Sequence, residues 1–326
     1  MLFRAIRFIF SGDTTCLKCV RLQGEPAAGR CLSIAIPASV VSDTPHLREK
    51  TAKLGAIARA SSIFGVNEII LYADDPRRSQ EADMQFCDEI LQYLETPQYL
   101  RKKIFKLRPT FKFAGILPPL QAPHHNVPRT MASVKIGDIR EGLVISRNDG
   151  GAVVDAGLER FVSVAADHPV SERVTIRLVS VGKSLRGEII EPSKMRISRS
   201  SETPILAMTD GMYWGYRVHK AASLARLLNG QRRDLKIGTS RYGTTIQELL
   251  PSLSKALKNS RSTLIAFGSP KMGLRELLAQ EKLDQKDAFT YFVNTVPDQQ
   301  TATVRTEEAI FISLGILNLA AKLTGS

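Results

Sequence analysis

From Cys31 onward, apolar positions follow two alternating spacings. Residues 32–36 (LSIAI) form a short apolar run stopped by Pro37, as expected of a strand buried inside a sheet. Thr44 and Pro45 then read as a helix start, a capping hydroxyl followed by proline at the first helical position. Leu47, Thr51, Leu54, Ala58 and Ser61 recur at helical spacing, with Ile57 and Phe64 widening the face. Gly65 ends that helix, and residues 68–72 (EIILY) give a second strand. Strand, helix and strand in so short a span make a βαβ unit and predict a parallel sheet. A second helix is predicted over 80–94, after the acidic turn Asp74-Asp75-Pro76.

The texture changes between residues 123 and 199. Short β-rich runs at 142–146, 151–155, 160–164, 173–181 and 186–190 are separated by glycine-bearing turns, and Asp149-Gly150-Gly151 is a hairpin signal. Five short strands without an intervening helix suit a small β-barrel of the OB type, although small barrels of other function share the pattern. After Thr203 the alternation resumes. Strands are predicted at 213–218, 235–238, 263–267 and 289–293, and helices at 221–228, 246–257, 274–283 and 307–323. The expected architecture is α/β, a parallel sheet split by an inserted barrel. Its parts are an N-terminal extension (1–30), a sheet domain in two halves (31–123 and 200–326) and the barrel (124–199).

Composition sharpens this picture. The 326 residues and 36.0 kDa accommodate two domains or one large domain with an insertion. Hydrophobic residues at 43% and charged residues at 24% exclude wholesale disorder and a fibrous chain. Lys and Arg number 45 against 32 Asp and Glu, a net charge of +13, which suits a polyanionic partner, nucleic acid before an anionic membrane surface. Charge alone does not separate such a binder from an ordinary basic protein. The apolar run 309–323 is interrupted by Ser313, Asn318 and Lys322 and falls short of a membrane span. Cys16, Cys19 and Cys31 lack the second pair or nearby histidine that a zinc site needs, so free thiols and no metal are expected. Arg4 and Arg7 break the apolar N-terminus, which leaves no signal-peptide core and predicts a cytoplasmic protein.

Candidate chemistry lies in two loops at predicted strand ends. Residues 268–273 (GSPKMG) combine backbone freedom with a proline-stiffened turn, which serves either a ligand or an ordinary βα connection. Residues 294–305 (NTVPDQQTATVR) are long for a βα connection and lead into Thr306-Glu307-Glu308, a plausible cap and two carboxylates at the positive helix end. The loop has backbone donors and acceptors but no aligned nucleophile and base, so it reads as a binding cradle. No H-E-x-x-H, G-x-S-x-G or P-loop occurs, and His124-His125 reads as local structure in a Pro-rich turn. The final helix is apolar almost all round, as for burial in a core or a subunit interface.

Four segments together resemble the SPOUT superfamily of knotted RNA methyltransferases, in the archaeal and eukaryotic branch with an OB-like insertion. They are residues 32–75, 91–125 (with PQYLRK and PHH), 234–243 (DLKIGTSRYG) and 292–318 (with TVRTEEA). The resemblance spans most of the chain from about residue 30, with the insertion matched loosely. It implies a C-terminal trefoil knot, a homodimer formed through the knot and last helix, and S-adenosylmethionine held among three knot loops. The implied cofactor residues are Thr239, Ser240 and Tyr242; Gly268, Ser269, Pro270 and Gly273; and Asn294, Thr295, Val296, Pro297, Gln299, Thr303 and Val304. Two positions depart from the family pattern. Gln300 stands where glycine is usual, and Tyr242 stands where Thr-Ser-Glu-Arg-Gly has its arginine, beside Arg241.

The resulting expectation is S-adenosylmethionine-dependent methylation of structured RNA, ribosomal RNA included. Arg305 is the candidate for substrate positioning or proton handling, against a plain role in capping or pairing with Glu308. Arg101, Lys102, Lys103, Lys106, Arg217, Lys220 and Arg241 are the candidate phosphate contacts. The competing expectation is an RNA-binding assembly factor that keeps the fold without turnover. A basic scaffold at a membrane surface is disfavoured for want of a basic amphipathic helix.

Overall fold

The computed structural model describes residues 30–323 apart from 126, 128–129, 149, 191–212 and 231, so Cys16 and Cys19 lie outside the described residues. Along the chain come β1 (Cys31–Pro37), α1 (Leu47–Ile63), β2 (Glu68–Tyr72), α2 (Glu81–Glu95) and α3 (Gln98–Ile104). Then follow β3 (Ile139–Asn148), β4 (Gly151–Asp155), β5 (Val162–Val164), β6 (Arg173–Ser180) and β7 (Leu185–Ile189). The chain continues through β8 (Arg217–Ala221), α4 (Leu224–Gly230), β9 (Leu235–Thr245), α5 (Ile246–Asn259) and β10 (Ser262–Ala266). It ends with α6 (Leu274–Gln280), α7 (Gln285–Ala288), β11 (Tyr291–Asn294) and α8 (Thr306–Lys322).

Six of these strands form a parallel sheet in the order β11-β9-β10-β1-β2-β8. Period-two alternation sends neighbouring side chains to opposite faces. Ile34, Ile36, Ile69, Leu71, Ile265 and Phe267 enter one apolar core, which α1, α2, α5 and α8 cover. Ala35, Ile70, Tyr72, Leu264 and Ala266 enter a second core under α4 and α6. Both faces of the sheet are therefore dry, which is why its strands read as continuous apolar runs.

The other five strands close into a barrel, β3-β4-β5-β7-β6. β5 pairs with β7 in parallel and β6 returns antiparallel to β3. Val144, Val154, Val162, Val174, Ile176, Leu178 and Leu185 fill its centre. Asn148 faces Gly151 across the predicted hairpin.

Several boundaries differ from the sequence expectation. α1 begins at Leu47 because the Thr44 hydroxyl turns to Asp43 Oδ1 at 3.1 Å and His46 is still extended. No strand spans 213–216. Gly215 takes φ +83°, Trp214 Nε1 donates to Glu141 Oε1 at 2.5 Å and Tyr216 OH donates to the Leu91 carbonyl at 2.9 Å, so β8 starts only at Arg217. The helix expected from 221 is displaced to Leu224 because β8 runs through Ala221. Thr306 is the first residue of α8 and not its cap; Arg305 occupies the cap position, and its N–H donates to Glu308 Oε2 at 2.9 Å. β9 continues past Gly238, but its partners jump: Phe292 faces Gly238 and Val293 faces Thr244, so residues 239–243 are extruded from within the strand.

α3 seats the barrel on the sheet. Tyr99 OH donates to the Glu141 carbonyl at 2.9 Å, and Lys103 pairs with Asp155. Nearby, Arg173 joins Glu95 at 2.5 Å and Glu141 at 2.6 Å. His124 is fully buried, with Nε2 lying 2.9 Å from the Glu95 carbonyl and 3.2 Å from its Oε1. The adjacent histidines are thus part of this joint. Burial lowers the His125 pKa to about 4, with the neighbouring His124 acting in the same direction, so His125 is neutral at physiological pH.

Candidate functional site at the carboxyl edge of the sheet

A parallel sheet places every strand's carboxyl end on one edge, and open α/β sheets bind ligands outside that edge. Here the edge carries the extruded residues 239–243, the loop 268–273 after β10 and the loop 295–305 after β11. The first and third loops are tied directly. Asn294 Nδ2 donates to the Arg241 carbonyl at 3.0 Å, and Arg241 Nη1 donates to the Ala302 carbonyl at 3.0 Å. Thr239 Oγ1 donates to the Ala266 carbonyl at 2.9 Å, linking the extrusion to the exit of β10.

Gly243 is where the extruded segment meets the backbone of β11. A Cβ there would sit 2.7 Å from the Phe292 oxygen, 2.7 Å from the Val293 carbonyl carbon and 2.8 Å from the Asn294 nitrogen, all of them backbone atoms. Only a residue without a side chain permits two main chains to pass so closely.

Within the cradle, Thr239, Ser240, Gly268, Ser269, Pro270, Asn294, Val296, Pro297, Gln299 and Val304 are half-buried. Tyr242, Gly273, Thr303 and Arg305 are exposed. Thr295 is buried, and its hydroxyl meets Ser313 Oγ of α8 at 2.8 Å, so that hydroxyl faces the helix packing. Ser269 closes its own turn, with its N–H donating to the Met272 carbonyl at 2.8 Å and its Oγ accepting from Met272 N at 3.0 Å. Asp298 holds φ +57°, a left-handed conformation two residues before Gln300. Arg241 lies over the Tyr242 ring at 4.7 Å, and its Nη2 donates to the Tyr242 hydroxyl at 2.6 Å.

Sequence reasoning missed the supports behind the loops. Tyr72, the last residue of β2, donates its hydroxyl to the Phe267 carbonyl at 2.6 Å and so fixes the entry to the 268–273 loop. Burial raises the Tyr72 pKa, with the Asp74 and Glu281 charges adding to the effect, so it remains a donor at physiological pH. Asp74 accepts from Ser39 Oγ at 2.5 Å and Gln80 Nε2 at 2.8 Å, joining the exits of β1 and β2. A polar-tipped aromatic at the end of a buried strand was the available signal for Tyr72.

The candidate phosphate contacts divide by environment. Arg101 turns back to the Thr96 and Leu94 carbonyls at 2.8 and 3.0 Å and lies over Tyr93 at 4.7 Å. Lys103 serves the barrel joint, and Lys220 pairs with Asp88 at 2.9 Å. Lys102, Lys106 and Arg217 are exposed, and the structure brings Arg241 to the cradle.

A family model described as "Putative RNA methyltransferase" matches residues 31–317, which takes in the sheet and the barrel alike. The chain belongs to this family. Among its relatives, a mouse protein named 28S rRNA (uridine-N(3))-methyltransferase is 33% identical over 334 residues, covering 93% of this chain and 79% of that protein. The human protein of the same name is 33% identical, with 91% and 82% covered. An uncharacterised protein of Haloarcula marismortui is 31% identical, with 88% and 98% covered. A "putative methyltransferase" from Legionella pneumophila, solved "in complex with the bound cofactor SAM", aligns over 92% of this chain and 70% of its own at 9% identity. Its TM-score of 0.35 is too low to carry an argument, so membership of the family rests on sequence.

Proposed function

We propose that this family member is an S-adenosylmethionine-dependent RNA methyltransferase whose cofactor lies in the cradle of residues 239–243, 268–273 and 294–305. The close approach at Gly243, where the extruded segment packs against the β11 backbone, carries this reading. The donor set fits the cofactor. Neutral hydroxyl, amide and main-chain groups at Thr239, Ser240, Ser269, Asn294 and Gln299 suit a ligand with adenine, ribose and amino-acid parts. The relatives' names point to uridine N3 of ribosomal RNA as the target.

When bound, the cofactor supplies a methyl group already activated by the sulfonium, which leaves alignment and water exclusion to the protein. A uracil N3 must lose its proton before or as it is methylated. At the solvent-exposed end of the loop that proton would pass to water, while the demethylated cofactor leaves as the thioether. Arg305 is not the acceptor, because a guanidinium offers N–H donors and no acceptor atom. Its exposed N–H groups instead suit a uracil oxygen, where they would favour the anionic ring and set its orientation.

In this reading residues 124–199 are an insertion, and the barrel is of the OB type. Its support is the strand order, with three antiparallel neighbours, the parallel β5·β7 pair and closure of β6 on β3. A SPOUT-type trefoil knot is supported by the return of the chain from β10 to the far side of β9, where it runs against the extruded segment. A homodimer through the knot and α8 is supported by the exposed Ile312 and Leu319. No helix among the described residues is long and apolar enough to cross a membrane. RNA is the partner in this reading, and the cytoplasm is its proposed compartment. Calorimetry with S-adenosylmethionine tests the proposal. Saturable binding at one site per chain is expected, whereas no binding would favour the assembly-factor reading that Tyr242 and Gln300 motivate.

A further inference from the structure

Lys53, in the first half of α1, is only 7% exposed. Its Nζ sits 2.8 Å from each Asp43 carboxylate oxygen and 3.4 Å from Glu307 Oε2. Burying an ammonium is costly unless it is paired, so this lysine is held by what it joins. It joins three segments: the connection after β1, α1, and the first turn of α8 directly behind Arg305.

The long loop is anchored elsewhere by different means. Thr295 holds its start to Ser313 at 2.8 Å, and Arg241 holds Ala302 at 3.0 Å. At its carboxyl end the Arg305 N–H to Glu308 bond, at 2.9 Å, is local to the helix. Among the described hydrogen bonds and ion pairs, Lys53–Glu307 is the one that ties this end to residues preceding the barrel.

We infer that Lys53 is a positioning residue which, through Glu307, fixes the start of α8 and thereby holds Arg305 and the end of the 294–305 loop against the cofactor cradle. The inference rests on the cradle reading for its functional consequence and on the ion pairs alone for its mechanical one. It differs from simple stabilisation because the effect should be local to residues 301–312 and should return with any cation of suitable reach.

The test compares wild type, Lys53→Met, Lys53→Arg and Glu307→Gln by hydrogen exchange without ligand and by calorimetry with S-adenosylmethionine. Lys53→Met should speed exchange over 301–312 about tenfold while leaving β10 protected, weaken cofactor binding, and be rescued in both respects by Lys53→Arg. Should Lys53→Met fail to fold, Glu307→Gln leaves the Lys53–Asp43 pair intact and must still speed exchange over 301–312. Unchanged exchange there, or a rise spread evenly over β1, α1 and α8, would overturn the inference. A wild type that binds no cofactor would instead overturn the cradle reading, while the exchange result would still decide the tie.

Discussion

Arg173 of the barrel grips Glu95 at the end of α2 with both terminal nitrogens, at 2.5 and 3.1 Å, while its Nε donates to Glu141 at 2.6 Å. Burial alone would raise the Glu95 pKa, but the Arg173 charge and then His124 outweigh it, and the carboxyl is held far below the usual carboxylate range. Removing one partner of such a pair strands the other charge. Arg173→Met should therefore destabilise the protein by about 3 kcal/mol, measured by urea unfolding. A depressed carboxyl pKa stabilises above the unfolded value. The wild-type advantage should be complete above about pH 5 and should shrink as pH falls from there toward the folded pKa, with Arg173→Met showing a flatter profile.

The same joint depends on close approach at Gly157. It holds φ +70°, and a Cβ there would lie 2.3 Å from Tyr99 Cδ2. Gly157→Ala combines backbone strain with a clash against a ring anchored on Glu141, and should cost about 2–3 kcal/mol. Chemical denaturation of Gly157→Ala beside a Tyr99→Ala, Gly157→Ala double variant checks this. Partial recovery in the double variant is expected, because the clash is removed and the strain remains.

Two lysines one position apart should behave differently. Lys102 is exposed, whereas Lys103 is bound to Asp155 across the joint. Lys102→Ala with Lys106→Ala should leave the unfolding midpoint unchanged. The slope of RNA affinity against salt should fall by about one unit for each lysine that contacts a phosphate. Lys103→Ala should lower stability with little change in that slope. Filter binding at several salt concentrations, alongside thermal melts, separates the two.

Gly243→Ala tests the cradle. Its methyl group would press on three backbone atoms of β11 at 2.7–2.8 Å, none of which can swing aside. The expected cost is about 1–3 kcal/mol of stability, with S-adenosylmethionine binding weakened about tenfold or more by calorimetry.

The architecture was legible where periodicity reports burial. β2 and β4 match their predicted spans because each is a compact apolar run bounded by turns. It was least legible at 213–216, where Tyr216 and Trp214 look like strand residues but serve α2 and the barrel joint, contacts far away in the chain. Local spacing carries no information about such long-range partners. The basic stretch 101–112 likewise read as one surface, although Arg101 and Lys103 are held by protein groups that only the fold brings near. Lys53 escaped notice because a lysine beside an apolar stripe ordinarily reaches solvent, and its partners Asp43 and Glu307 meet only when α8 docks on α1.

The most direct test is transfer of labelled methyl from S-adenosylmethionine to ribosomal RNA, followed by digestion to nucleosides. Label in a methylated uridine is expected with the wild type, and little or none with Gly243→Ala or Arg305→Ala. Absence of label in RNA under conditions where the wild type binds both cofactor and RNA would contradict the methyltransferase reading.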